Sequence, residues 1–348
     1  MIYIFGYILL FITALFFKRN KLITVKTYSV LVILFFFIPI AAFRGDIGTD
    51  TETYFRIVNS LINNDILTNA IEPGFTITTS FLLYITSDAE IIVRMYSLIF
   101  FSLVMYYIIK SDSNELYYIM CFYAPTVFYQ YSMNGLRIGI SSIFFLLFLQ
   151  NLARKEKIKS ALLGSLSASF HLSIVLAFIS VWLSQIKLLV KSNLIISVLF
   201  IFILGLIVYL AEEQIQFKLD SYGELTQNLS LSGLGLFIPI ILVNILALKS
   251  RLSKIQRQKL FYISNILLLL SYFLSIYTYA GLRFLDVLRF LLPALILYSH
   301  QKEELLYNKY TRSSFVISAL ISAIFTFRNI VSTIGTEGAY LPYYFYWE

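Results

Sequence analysis

The sequence has few of the residues on which soluble enzymes usually rely. Among 348 residues there is one cysteine, there are two histidines, and 13% of the residues are charged. The single cysteine, Cys121, excludes an internal disulfide and a cysteine-based metal cluster. Because the sequence has only two histidines, His171 and His300, we expect no metal site. No P-loop and no GxGxxG motif is present, so nothing indicates ATP or a nucleotide sugar as donor, and we expect no cofactor.

Apolar residues make up most of the chain. The sequence is 59% hydrophobic with a mean hydropathy of +0.80, whereas about a quarter of the residues in soluble domains are charged. The apolar residues form helix-length blocks between charged clusters, a pattern typical of a helical bundle rather than a barrel. We therefore predict an all-α, polytopic transmembrane bundle with about 10 to 13 membrane segments, some of them re-entrant or broken, in a single domain over residues 1–348.

The apolar blocks give specific positions for the membrane helices. The candidates lie at about 1–17, 28–43, 91–109, 115–131, 137–150, 193–211, 233–248, 260–280, 284–299 and 313–331. The first block has no basic region before it and no small-residue cleavage site after it. We interpret it as a retained helix and not as a signal peptide.

The distribution of charge predicts the topology. Basic clusters at 18–26, 154–159, 249–259 and 302–312 all face the cytoplasm if the positive-inside rule holds. Residues 44–90 then comprise a periplasmic loop and, from Pro73 to Thr86, a re-entrant or interfacial segment. Residues 212–232 form a second periplasmic loop. The segment 161–185 must cross an even number of times, which predicts a hairpin of two short helices turning near His171. The net charge of +8 is explained by membrane orientation, so we expect no nucleic-acid partner.

This topology collects polar residues at one face of the membrane. A polar stretch at 43–54, with one arginine and three acids, interrupts the apolar sequence. The residues expected at the same face are Arg44, Asp50, Glu72, Arg137, His171, Arg283 and the C-terminal tail. Charged groups at such places are candidates for a functional site because they are costly in a membrane.

Each candidate also has a structural interpretation. Arg137 near a helix N-terminus suits a phosphate or pyrophosphate, but it could equally snorkel to lipid headgroups. Glu72 precedes Pro73 and is expected to cap a helix, although a carboxylate at the membrane surface is also suited to general-base catalysis. His171 is either a packing residue or a catalytic one.

Two further regions carry candidates near the C-terminus. Arg283 and Asp286 are three residues apart and can pair on one helix face, which leaves Arg289 in need of another partner that an anionic ligand would supply. The tail at 340–347, which includes Tyr343, is rich in aromatic residues. It is expected to anchor at the membrane interface or to provide stacking surfaces for sugars.

Taken in order, these motifs resemble the EpsG/Wzy-like family, the polytopic bacterial polymerases of O-antigen, capsule and exopolysaccharide. The similar motifs are Arg44…Gly48-Thr49-Asp50…Tyr54, Glu72-Pro73-Gly74-Phe75, Asn134-Gly135-Leu136-Arg137, Phe170-His171-Leu172-Ser173, Arg283-Phe284 and Leu341-Pro342-Tyr343. They span nearly the whole chain. One departure is Ile138, which stands where many relatives have a glutamine.

The resemblance implies a glycosyltransferase in the bacterial inner membrane whose active site faces the periplasm. Its substrate would be an undecaprenyl-pyrophosphate-linked oligosaccharide repeat unit, and a chain-length regulator protein would be a further partner. Two alternatives remain open, an O-antigen ligase-type glycosyltransferase and a transporter of lipid-linked oligosaccharides. A transporter is less favoured because the sequence has no internal repeat and its polar residues gather at one face.

Roles for the candidate residues follow from this resemblance. Binding of the pyrophosphate is expected from Arg137, Arg283 and Arg289, assisted by Arg44. For the base that accepts the proton of the acceptor hydroxyl, Asp50 is the first choice, with Glu72 and His171 as alternatives. Stacking on sugar rings is expected from Tyr54 and Tyr343.

Overall fold

The described part of the chain is a bundle of helices. The structure, a computed structural model, describes residues 1–17, 21–63, 72–185, 233–277, 279–336 and 338–348. Its helices are α1 (Ile2–Phe16), α2 (Leu22–Ala42), α3 (Thr51–Ile62), α4 (Pro73–Leu83), α5 (Ala89–Lys110), α6 (Ser113–Tyr118, Ile119–Tyr123 and Ala124–Met133 in succession), α7 (Leu136–Ala153), α8 (Lys157–Phe170), α9 (Val175–Gln185), α10 (Leu234–Ala247), α11 (Lys254–Tyr277), α12 (Tyr279–Lys302) and α13 (Lys309–Ser332). Between these described residues the only β pairing is a single bridge from Arg44 to Phe345.

Several helices have the length and composition to cross a membrane. Four described helices are long and apolar enough, namely α2, α5, α7 and α13, and shorter apolar helices lie at Ile2–Leu15, Leu172–Gln185 and Leu234–Ala247. Large apolar side chains point outward from the bundle, for example Ile23, Phe35 and Phe273, each more than half exposed. Such surfaces are stable in lipid and not in water. The prediction of an all-α polytopic membrane protein is confirmed.

Two helices contain a wide turn next to a proline. The π-helical segment Ile33–Phe37 ends two residues before Pro39, and Ile119–Tyr123 ends two residues before Pro125. A proline has no N–H and its ring collides with the preceding turn. A π turn relieves that collision while most backbone groups stay hydrogen-bonded, as the interior of a membrane requires.

The basic loops meet at one end of the bundle, which we call the basic end. Arg154 donates to the carbonyl of Lys110 at 2.7 Å and to the buried carboxylate of Glu115 at 3.0 Å. Lys26 donates to the carbonyl of Ile109 at 2.9 Å. Asn114 of the same region donates to the Leu305 carbonyl and Asn308 to the Lys249 carbonyl, so the described parts of the four basic clusters are gathered at one end.

The two ends of the chain meet at the opposite end, which we call the site end. The Tyr3 hydroxyl donates to the carbonyl of Tyr340 at 3.1 Å. The C-terminal tail also pairs with the polar stretch, since Gly45 N–H donates to the Tyr344 carbonyl and Tyr346 N–H to the Phe43 carbonyl. The tail thus fixes the polar stretch against the bundle through backbone hydrogen bonds.

The predicted helix positions agree closely with the described helices. One described helix, α3, was not predicted, and one predicted region lies outside the described residues. The hairpin is present as α8 and α9, and the segment from Pro73 is a helix with Glu72 at its N-cap. Helix α3 lies within the stretch predicted as a loop; its buried side includes Tyr54 and Val58. The predicted helix at 193–211 and the loop at 212–232 lie outside the described residues.

Candidate functional site

Glu72 is the centre of an ionic cluster at the site end. Its Oε2 accepts a very short hydrogen bond from Arg137, and its Oε1 lies 3.4 Å from Nδ1 of His171. The three side chains are 10%, 27% and 23% exposed, so solvent reaches the cluster from one side. Burial raises the pKa of Glu72, but the contact with His171 and the charge of Arg137 outweigh burial and lower the pKa to about 2. Glu72 is therefore ionised at neutral pH.

Backbone breaks bring these three residues together. Glu72 is in extended conformation before Pro73, which begins α4, and His171 is extended between α8 and the short turn Leu172–Ile174. Gly74 lets the two segments approach, because a Cβ there would lie 2.5 Å from Oγ of Ser169. No side chain could occupy that space without moving the backbone.

Tyr54 connects this cluster to Asp50. The guanidinium of Arg137 lies 5.8 Å from the centre of the Tyr54 ring, a cation–π distance. Burial raises the pKa of Tyr54, and the Asp50 carboxylate raises it further while Arg137 acts against it. Tyr54 is buried and protonated at neutral pH, with Arg137 and Asp50 both nearby.

Asp50 has a fixed backbone and an unpaired carboxylate. Its N–H donates to Oδ1 of Asn134 at 2.7 Å, and the Thr49 hydroxyl donates to the same oxygen at 3.1 Å. The preceding turn requires Gly48, whose φ is +113°. Among the described residues, the Asp50 side chain forms no hydrogen bond and no ion pair. A half-buried carboxylate in this state is available to accept a proton.

A second polar cluster is buried inside the bundle. Oδ1 of Asp286 lies 3.7 Å from Nη1 of Arg289, and the same Nη1 donates to Oε1 of Gln130 at 2.9 Å. Arg289 also donates to the Thr326 hydroxyl at 3.3 Å, and the Tyr131 hydroxyl donates to the Asp286 backbone carbonyl at 3.2 Å. The side chains of Arg289 and Asp286 are only 4% and 8% exposed.

This cluster corrects the expected pairing. The sequence suggested an Arg283–Asp286 pair and left Arg289 to an anionic ligand. The ion pair is instead between Asp286 and Arg289, and the protein supplies the partners of Arg289. The physical reason is depth: a buried guanidinium without a carboxylate is costly, whereas Arg283 is exposed. Arg283 and His171 both lie close enough to Asp286 to act on its carboxylate electrostatically.

Arg44 is enclosed by the protein. It is 1% exposed, and its guanidinium donates to the carbonyls of Ala41 and Ile47 and, at 2.8 Å, to the Ser97 hydroxyl. Its own carbonyl accepts from Arg94 at 3.0 Å. Arg44 therefore holds the start of the polar stretch.

Tyr343, like Arg44, is held by contacts within the protein. Its hydroxyl donates to the carbonyl of Ile40 at 2.8 Å, and its ring packs edge-on against Tyr3 and Phe345. The Tyr343 ring lies within the packed tail. The role of Tyr343 in stacking on a sugar stays a prediction.

The sequence analysis gave no role to two amide side chains, those of Gln130 and Asn134, that connect parts of the site. Gln130 connects the buried cluster to the end of α6, and Asn134 holds Asp50. Both lie at the end of an apolar run, where a neutral amide gives little signal. Their four-residue spacing on a helix, which puts them on one face, was the available indication. Within the described residues no group of three or more histidine, cysteine or acidic side chains is arranged to hold a metal ion.

Comparison with known proteins gives one family match. The model of the EpsG family matches residues 26–345, which include every candidate residue described above. No curated protein and no solved structure shows significant similarity to the chain. The family supports a polysaccharide polymerase-type function in general terms. Because the match covers nearly the whole chain, this protein belongs to the EpsG family.

Proposed function

We propose that this protein is a bacterial polysaccharide polymerase that joins undecaprenyl-pyrophosphate-linked oligosaccharide repeat units at the periplasmic face of the inner membrane. The observation that carries the proposal is the Asp50 carboxylate, which has no partner among the described residues and is linked through Tyr54 to the Arg137–Glu72–His171 cluster. Transfer of a sugar from a pyrophosphate requires a base at one side of the reacting carbon and positive charge at the other.

Arg137 and Arg283 are the proposed ligands of the pyrophosphate. Arg137 retains 27% exposure, and Arg283 is exposed at the beginning of α12. Fixed guanidinium groups stabilise the charge that develops on the leaving phosphate without reorganising. Arg289 and Arg44 are positioning residues in this proposal, because each is buried and hydrogen-bonded to the protein.

Asp50 is the proposed general base. The acceptor hydroxyl gives its proton to the Asp50 carboxylate while its oxygen forms a bond to the anomeric carbon of the donor. The bond from that carbon to the phosphate oxygen breaks, and the electron pair leaves with the pyrophosphate. Glu72 is less suited to this role, because a carboxyl with a pKa of about 2 is a weak base. Its proposed task is to orient Arg137 and His171.

The test is the surface polysaccharide of a strain that lacks the gene. We expect the ladder of long chains to collapse to a single repeat unit and to return with the wild-type gene. Arg137→Ala and Arg283→Ala should fail to restore the ladder although both proteins reach the membrane. Arg56→Ala, which removes an exposed arginine from α3, is the matched control and should restore it.

Other outcomes separate the alternatives. Absence of even one repeat unit on its acceptor would indicate a ligase. Accumulation of lipid-linked units on the cytoplasmic side would indicate a transporter. Normal ladders from both arginine variants would overturn the proposed site.

A further inference from the structure

A cavity lined by several hydrogen-bonding side chains lies beside Asp50, apart from the ionic cluster. Its volume is about 180 Å³, and it opens between the end of α6, the end of α13 and the C-terminal segment. The hydrogen-bonding side chains that line it are Thr49, Gln130, Asn134, Thr326, Asn329 and Thr333. Two aromatic side chains, Tyr129 and Tyr340, and the apolar side chain of Ile330 complete the wall.

Several of these groups have hydrogen-bonding capacity to spare. Among the described residues, the amide nitrogen of Asn134, the side chain of Asn329 and the hydroxyl of Tyr340 have no hydrogen-bond partner, although Tyr340 is only 8% exposed. The Thr326 hydroxyl, by contrast, is already engaged, since it accepts from Arg289 at 3.3 Å and interacts with the Tyr7 hydroxyl. Polar groups that converge on a cavity and keep unused donors or acceptors are typical of a ligand site.

The chemistry of the wall selects the class of ligand. The described side chains that line the cavity are all uncharged, so a phosphate or carboxylate would find no cation in contact. The positive charge of Arg289 behind Gln130 is already balanced by Asp286. A lipid tail would leave the amides and hydroxyls without partners, which is costly. Neutral donors and acceptors beside aromatic rings suit a ring that carries several hydroxyl groups.

The size and position agree with that class. A cavity of about 150 Å³ holds one benzene ring, so about 180 Å³ is suited to one six-membered ring rather than two. Thr49 lines the cavity and precedes Asp50, and Asn134 lines it and binds the Asp50 N–H. A ring hydroxyl in the cavity would therefore be close to the Asp50 carboxylate.

We propose that this cavity binds one uncharged monosaccharide ring, the terminal residue of the acceptor, and discriminates against uronic acids at that position. The inference rests on the proposed polymerase function, because the ring is the acceptor only if Asp50 is the base. Binding itself does not depend on that assignment and can be measured separately.

The experiment uses the full chain in lipid nanodiscs and saturation-transfer NMR. The probes are the methyl glycosides of glucose, galactose, mannose, rhamnose and N-acetylglucosamine, with methyl glucuronide as the charged probe. We expect at least one neutral probe to bind about tenfold more tightly than the glucuronide. Asn329→Leu, which fills the cavity from an exposed position, should abolish that signal. Tyr340→Phe, which removes only a hydroxyl, should weaken it about three- to tenfold.

The control is Ser332→Leu, an exposed position on the same helix that does not line the cavity. It should leave binding unchanged. The proposal is overturned if no neutral probe binds, if the glucuronide binds equally well, or if Asn329→Leu binds like Ser332→Leu. A collapsed ladder in the gene-deletion strain combined with absent sugar binding would reject the cavity and leave the polymerase. A normal ladder combined with specific sugar binding would reject the polymerase function and leave the cavity as a sugar-binding site.

Discussion

The backbone N–H of Asp50 donates a 2.7 Å hydrogen bond to Oδ1 of Asn134, a residue 84 positions later in the sequence. The same oxygen accepts from the Thr49 hydroxyl. Asn134 thereby ties the polar stretch to the turn that begins α7, three residues before Arg137. The candidate base and a candidate pyrophosphate ligand are connected by one side chain.

Replacing Asn134 should therefore impair activity more than stability. Asn134→Ala removes two hydrogen bonds, which should lower the free energy of unfolding by about 1–3 kcal/mol. A displaced Asp50 should lower the rate of chain extension at least about tenfold. The measurement is polymer formation by purified protein with lipid-linked repeat units, alongside its melting temperature. Unchanged extension would contradict the connection.

Asp50→Asn should stop chain extension without unfolding the protein. Loss of a general base costs about 10²- to 10⁴-fold in rate, and the Asp50 carboxylate has no described partner whose loss would destabilise the fold. Asp46→Asn, an exposed acid in the same stretch, is the control and should behave like the wild type. Equal activity of the two variants in the polymer assay would remove Asp50 from the mechanism.

The Glu72 cluster predicts a dependence of stability on acid. Because the folded pKa of Glu72 is lowered from 4.5 to about 2, its ion pair contributes fully above the unfolded pKa. The contribution is lost as the pH falls through about 2. Glu72→Gln should thus melt at a lower temperature than the wild type at pH 5, and the difference should shrink as the pH falls from about 5 towards 2. A difference that grows between pH 5 and pH 2 would contradict the assigned ionisation.

Arg44 should matter for folding rather than for binding. Its fork contacts two carbonyls and a hydroxyl in the interior, a geometry that lysine cannot reproduce. We expect Arg44→Ala and Arg44→Lys both to lower the melting temperature, with about 3 kcal/mol lost in the alanine variant. The amount of folded protein in the membrane should fall in parallel, while the activity of each folded molecule is largely retained. An Arg44 variant with normal stability but without activity would instead indicate that Arg44 contacts the substrate.

The lengths of the apolar runs predicted most of the described helices, and the distribution of charge predicted the hairpin of α8 and α9. Hydropathy fixes such segments because no other backbone arrangement satisfies its hydrogen bonds in lipid. Helix α3 escaped this reasoning: it runs from Thr51 to Ile62, is rich in polar residues, and acquires its buried side from packing against α4 and α5. Its apolar positions, such as Tyr54 and Val58, are too few to resemble a membrane segment.

The chain's own sequence determined its class, the positions of its main helices and the gathering of Glu72, Arg137 and His171 at one end of the bundle, because charge and hydropathy restrict where a segment can lie in a membrane. Tertiary structure alone decided which partner each polar group has. Among the described residues, Asp286 forms its ion pair with Arg289, Arg44 is enclosed, and the Asp50 carboxylate is left open beside Asn134. Such choices depend on the depth of each side chain and on contacts between residues far apart in the chain, which local spacing does not encode.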